Sequence, residues 1–139
     1  MHNAFVIDEL TRQLQDDPRI AAAVLFGSFA RGTPRADSDI DVAVLAVDAA
    51  ARASLAAAYH QRLGDLGTAL ARDVHLIDFE STDPALRRTI VARGVALFDR
   101  SAGALDRARA RALIDYFDGE YMRRVIDAAQ RRQLDTARG

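Results

Sequence analysis

Apolar positions along the chain follow two periods. From residue 4 to 15, Val6, Ile7, Leu10 and Leu14 recur at helical spacing, which predicts an amphipathic helix stopped by Asp17-Pro18. Residues 20–26, IAAAVLF, form a short unbroken apolar run bounded by turn signals, the pattern of a buried strand. Residues 40–47, IDVAVLAV, predict a second strand rich in β-branched side chains. An Ala- and Leu-rich stretch over 50–71 predicts one long helix, and VHLIDF at 74–79 a third strand. Asp83-Pro84 supplies an N-cap followed by Pro at the first helical position, opening a helix over about 84–92 that Gly94 ends. VALF at 95–98 fits a short edge strand. The tail, 104–134, is a long helical pattern in which Leu105, Leu113, Tyr116, Phe117, Tyr121, Val125 and Ile126 fall near one face, with Gly119 as a point of bending.

These elements predict a small α/β (α+β) domain: a mixed twisted sheet of three to five strands, with helices packed on one face and a C-terminal helix. Residues 1–100 form the expected core. Residues 101–139 form an extension whose apolar stripe is expected to dock on it.

Composition narrows the function classes. A chain of 139 residues suits one domain with a real core. No apolar stretch reaches membrane-spanning length, and MHNAFVIDEL has acids where a leader needs bases, so the expected location is cytoplasmic. The absence of Cys removes disulfides, thiolate zinc sites and cysteine nucleophiles together. All 19 basic residues are Arg. A Walker A loop, a lysine Schiff base and a lysyl-adenylate are therefore excluded. A net charge of −1 argues against a broad surface for long nucleic acid.

Chemistry concentrates in LFGSFARGTPRADSDIDVAVL, residues 25–45. Gly27 permits a sharp backbone turn and the close approach of a phosphate. Ser28 stands where a helix begins, so its hydroxyl and the free N–H groups there suit an anion; the same geometry serves an ordinary N-cap. Asp39 and Asp41 are one residue apart at the mouth of a strand and so share a face. Two such carboxylates repel unless a proton or a divalent cation relieves them, and their oxygens suit Mg²⁺. A triphosphate between the glycine turn and the two carboxylates would bring its α-phosphorus near the metal.

Gly27-Ser28, ten residues, then Asp39-x-Asp41 resembles the signature of the DNA polymerase β-like nucleotidyltransferase superfamily. The wider string GSFARGTPRADSDIDVAV resembles its minimal members, in particular the MntA-type antitoxins paired with HEPN-domain (HepT-like) toxins. VHLIDF followed by LRRTIVARGVALF is similar to the segment that follows in this family, so the resemblance covers most of the chain. It implies a minimal nucleotidyltransferase fold and Mg²⁺-dependent transfer of AMP from ATP to a tyrosine of a separate-chain HEPN RNase, which silences the toxin. It further implies that Gly27 and Ser28 hold the triphosphate, that Arg31 braces the loop or contacts phosphate, and that Asp39 and Asp41 bind metal.

The sequence departs from that pattern at one place. The superfamily often has a third carboxylate on a later strand, and His75 stands there. A neutral imidazole can act as base in its stead but is a poorer Mg²⁺ ligand. Asp78 lies on the other face by alternation, and Asp73 sits at the strand edge. Two alternatives therefore stand beside the transferase. One is a nucleotide-binding antitoxin, weak or inactive in catalysis, that neutralises its toxin by direct binding. The other is a small-molecule nucleotidyltransferase, for which the chain is short. His60, Arg35 and Asp37 read as surface or structural residues; Arg87 and Arg88, in the helix after the third strand, could approach phosphate but are not assigned to the site.

Overall fold

The three apolar runs and the VALF segment pair into one sheet. The structure, a computed structural model, describes residues 3–35, 37–101 and 103–138. Strands β1 (Ile20–Phe26), β2 (Ile40–Ala46), β3 (Val74–Asp78) and β4 (Val95–Asp99) lie in the order β3-β2-β1-β4. β1 runs antiparallel to both neighbours, and β2 and β3 are parallel. VALF is thus an edge strand, as its shortness predicts.

Helices α1 (Asn3–Gln15), α2 (Gly27–Ala30), α3 (Ala49–Ala57), α4 (Tyr59–Leu70), α5 (Pro84–Arg93) and α6 (Ala104–Arg138) complete the chain, with a 3₁₀ turn at Phe79–Ser81. The predicted cap of α5 is present, with the Leu86 amide donating to Asp83 Oδ1 at 3.0 Å and Pro84 opening the helix.

Three expectations need correction. The helix over 50–71 is two helices that break at Ala58. No Gly or Pro marks that break, so the sequence carries no signal for it.

Helices cover both faces of the sheet, not one. Val6, Leu10 and Leu14 of α1 and Leu66 and Leu70 of α4 pack with Ala23, Leu25, Val42, Val44 and Leu76. On the opposite face, Ile90 of α5 and Leu105 and Ala112 of α6 pack with Ala22, Val24, Ala43 and Leu45. The physical reason lies in β1 and β2 themselves. Their apolar runs do not alternate with polar residues, and a strand without alternation must be buried on both sides.

The third correction concerns the tail. Of its expected docking stripe only Leu105 is buried; Leu113, Phe117, Tyr121, Val125 and Ile126 are exposed. The buried side of α6 is the side carrying Leu105 and Ala112, which meets α5 and β1. Beyond Gly119 the helix projects: residues 121–136 are exposed throughout, with Arg123 still bordering a hollow beside Asp83 and Pro84 at the start of α5.

One buried charge ties the helical layer to the sheet. Asp17 accepts from Arg19 Nη2 at 2.7 Å and Nε at 2.9 Å, and Arg62 of α4 approaches to 3.7 Å. The hydrogen-bonded Arg19 guanidinium holds the Asp17 carboxyl below the usual carboxylate range, against the opposing effect of burial.

Candidate active site

β1 ends at Phe26 and the chain turns into the single helical turn of α2. Gly27 makes that turn at φ +73°, in the left-handed region. Phe26 pairs with Asp41 in the sheet register, so Asp41 lies directly beside the turn. A Cβ added at Gly27 would stand 2.2 Å from Asp41 Oδ2. The glycine therefore leaves room for the carboxylate as well as supplying the turn.

Asp41 also pairs across β2 and β3 with His75. His75 Nδ1 lies 3.3 Å from Asp41 Oδ1. In the Nδ1–H tautomer the ring donates to the carboxylate and leaves Nε2 free. The imidazole is 67% exposed and the Asp41 side chain 25%, so the ring faces solvent above a half-buried carboxylate. Both side chains stand on the sheet face that α5 and α6 cover lower down, since their neighbours at two-residue spacing, Ala43 and Ile77, pack there.

Asp39 precedes β2, one residue before Ile40, whose amide donates to the Asp73 carbonyl at 3.0 Å. Its carboxylate is exposed and has no hydrogen bond or ion pair among the described residues. Strand alternation extended back through Ile40 would give it the side of Asp41, and in the structure it borders a hollow lined by Ser38, Gly67, Arg72 and Asp73. Among the described residues no three metal-ligating side chains come together. Two carboxylates nevertheless suit Mg²⁺, which keeps several waters and takes one or two protein carboxylates plus substrate phosphates. The space beside Gly27 that Asp41 fills, and the oxygen-only donors, fit that ion better than a softer metal.

Ser28 lies in α2 with its hydroxyl unengaged among the described residues; its carbonyl accepts from the Thr33 amide at 3.1 Å. The cap position of α2 is Phe26, so Ser28 is not an N-cap. The Arg31 amide donates to the Gly27 carbonyl at 3.2 Å and its guanidinium is exposed. Arg31 therefore braces the turn through its backbone alone.

The side chain that braces the loop is one the sequence reading did not single out. Arg72, after α4, donates through Nη1 to the Ser38 carbonyl at 3.0 Å and the Arg35 carbonyl at 3.3 Å. Its guanidinium also stacks 4.9 Å from the centre of the Phe29 ring in α2. One cation thus links the helical turn after Gly27 to the segment that carries Asp39. No local signal could have found it, because its partners are more than 30 residues away in the chain.

Asp78 lies outside the site, as alternation predicts. It pairs with Arg52 at 2.5 Å and accepts from Ser81 Oγ at 2.7 Å and the Glu80 amide at 3.1 Å, capping the 3₁₀ turn. His60 is exposed on α4 and borders a separate hollow with Arg52, Tyr59 and Asp78.

Comparisons with known proteins place this geometry. Over 95 residues the chain is 36% identical to the protein adenylyltransferase MntA of Shewanella oneidensis, covering 66% of this chain and 63% of that protein. The match thus spans less than two thirds of that relative's length. The chain superposes on a crystal structure of a toxin–antitoxin with AMP-PNP at a TM-score of 0.70, with 28% identity, over 88% of this chain and 96% of that one. It superposes on a crystal structure of the toxin–antitoxin MntA-HepT at 0.66, with 25% identity, over 91% and 97%. The small mixed sheet with flanking helices and a C-terminal helix is the fold of these chains. Residues 8–103, which hold all four strands, match the polymerase beta nucleotidyltransferase family. With every strand of the sheet inside that match, the chain belongs to the polymerase beta nucleotidyltransferase family.

Proposed function

We propose that the protein is an antitoxin that transfers AMP from ATP to a tyrosine of a separate-chain, HepT-like HEPN RNase, and so neutralises it. The observation that carries the reading is the placement of Asp41 between the Gly27 turn and His75. A phosphate-binding turn, a metal-binding carboxylate and a proton acceptor then sit within one strand register. The likeness to MntA and to toxin–antitoxin structures, one with AMP-PNP, supports the same reading. Residues 1–100 serve as the catalytic core and 101–139 as the extension.

In this mechanism Gly27 and Ser28 hold the triphosphate, and the free Arg31 guanidinium contacts its phosphates. Asp39 and Asp41 would hold Mg²⁺, which would supply charge neutralisation for the triphosphate and the departing pyrophosphate. The tyrosine oxygen attacks the α-phosphorus, a new P–O bond forms, and the bond to the bridging oxygen of pyrophosphate breaks. His75 takes the phenolic proton at Nε2, while Asp41 holds the ring through Nδ1–H.

The test is to mix the protein with Mg²⁺, a HEPN partner and ATP labelled at the α-phosphate, and to follow the partner's mass. A gain of one or more adenylyl units on tyrosine is expected, and it vanishes when Asp39 and Asp41 are both changed to Ala. Labelling that persists in the double variant rejects the assignment. A partner silenced without any mass change favours the second reading, neutralisation by direct binding. That reading draws on one observation, the imidazole of His75 in place of a third carboxylate.

A further inference from the structure

Helices α3 and α4 part at Ala58, and residues from both sides of the break, Leu55, Ala56, Tyr59 and His60, border a hollow of about 320 Å³. A cavity of roughly 150 Å³ is enough to hold benzene, so this one has room for a ring with a short arm. Its floor is apolar. Ile20, Val44 and Leu76 come from three adjacent strands, and Leu55 faces them from α3. Val44 and Leu76 belong to the sheet face that α1 and α4 cover. Asp41 and His75 stand on the opposite face. The hollow is therefore separate from the nucleotide site and does not depend on the reaction proposed for it.

The polar groups of the lining divide unevenly between acceptors and donors. Asp78 supplies its one carboxylate, and both oxygens are occupied: Oδ2 accepts from Arg52 Nε and Ser81 Oγ, and Oδ1 from the Glu80 amide. Arg52 carries five N–H donors. Nε serves Asp78 and Nη2 serves Ser81, while Nη1 lies 3.7 Å from Glu80 Oε2, beyond hydrogen-bond distance. Glu80 is itself more than half exposed, so water screens it. The bonds to Asp78 and Ser81 thus fix the guanidinium and leave donors over. The Tyr59 hydroxyl and the His60 ring make no hydrogen bond among the described residues; their rings meet edge to face with centres 5.5 Å apart. Arg62 adds a second guanidinium to the lining. A cationic ligand would meet two guanidiniums and an occupied carboxylate. An apolar body that carries an anionic acceptor meets an apolar floor and spare donors, and the forked donors of Arg match a carboxylate. We infer that the hollow between α3, α4 and the sheet is a binding site for a small aromatic carboxylic acid, its ring on Val44 and Leu76 and its carboxylate toward Arg52.

Phenylacetate titrated into the ¹⁵N-labelled full chain tests this, with acetate and 2-phenylethylamine as the comparison probes. Saturable amide shifts are expected in residues 55–60 and 76–81, which border the hollow. Acetate lacks the ring and 2-phenylethylamine the carboxylate, so each should bind at least about tenfold more weakly. Ala56→Phe, at an exposed position on the rim, puts a ring of the protein's own into the space and should abolish the shifts without lowering the melting temperature. Arg52→Gln should raise the dissociation constant of phenylacetate about tenfold and leave that of the uncharged 2-phenylethanol unchanged. A loss of the fold would weaken both probes alike. The inference is overturned if phenylacetate gives no saturable shift, or if acetate reproduces its shifts across the arginine-rich surface. Equal binding of 2-phenylethylamine overturns it too, as does binding indifferent to both Ala56→Phe and Arg52→Gln.

Discussion

The Cα of Gly27 faces the side chain of Asp41: a methyl group at position 27 would stand 2.2 Å from Asp41 Oδ2. The backbone there also has φ +73°. Gly27→Ala therefore both strains the turn and displaces the carboxylate. The strain should lower stability by about 1–2 kcal/mol, which a thermal or urea melt would read. The displacement should remove adenylyl transfer nearly as completely as Asp41→Asn does. A Gly27→Ala protein that folds and still labels its partner at the parent rate would show that the contact does not govern the site.

Arg72 reaches the site only through other residues, so its removal has a different signature. Arg72→Ala loses two hydrogen bonds to loop carbonyls and the stacking on Phe29. Its partners Ser38 and Arg35 lie just before Asp39. The expected result is about a tenfold loss of transfer, because a loosened carboxylate costs positioning, with stability down by about 1 kcal/mol. Lys at this position keeps the charge but not the forked donor geometry and should recover activity only in part. A variant with full transfer and a lowered melt would make Arg72 a purely structural residue.

These two cases mark where the sequence is legible. The turn, the spacing to Asp39 and Asp41, and the strands IDVAV and VHLID can be read locally, because strand alternation and glycine chemistry are local. The departure at His75 is also visible in the sequence. Its contact with Asp41 follows once β2 and β3 are paired in register. Arg72 is invisible because its partners are distant in the chain. The break at Ala58 is invisible because Ala is the strongest helix former and carries no stop signal. The stripe on α6 shows a different limit. Periodicity reveals that a helix has an apolar face but not whether the core reaches it, and here the core ends near Gly119. The covering of both sheet faces was missed, although the unalternating run IAAAVLF requires it.

The His75 side chain is exposed and, among the described residues, makes only the Asp41 contact, so changing it should leave stability nearly untouched. If Nε2 takes the phenolic proton, His75→Ala should slow transfer by about 100-fold. The amount of nucleotide bound should stay as it is, since the triphosphate is held elsewhere. His75→Asp puts a carboxylate where the superfamily often has one and should retain transfer within about tenfold of the parent. Single-turnover labelling at saturating ATP separates the two effects. An Ala variant as fast as the parent would remove His75 from the chemistry and leave the Asp pair to act alone.

Asp17 sets the response of the fold to acid. Its side chain is 6% exposed, and hydrogen bonds from Arg19 hold its carboxyl below the ordinary range in the folded state. A carboxyl depressed by folding stabilises the protein above its unfolded value of about 3.9, and that stability is lost as the pH falls through the lower, folded value. Asp17→Asn removes the charge at every pH and leaves Arg19 and Arg62 without their anion. Near neutral pH the variant should therefore be less stable by about 2 kcal/mol. The gap should close as the pH drops below about 4, where the unfolded parent takes up a proton at this group before the folded one does. Urea melts of both proteins along that pH series provide the check. A gap that stays constant down to the lowest pH would mean that the variant loses packing or hydrogen bonds rather than charge. The acid sensitivity of the fold would then belong to a carboxylate other than Asp17.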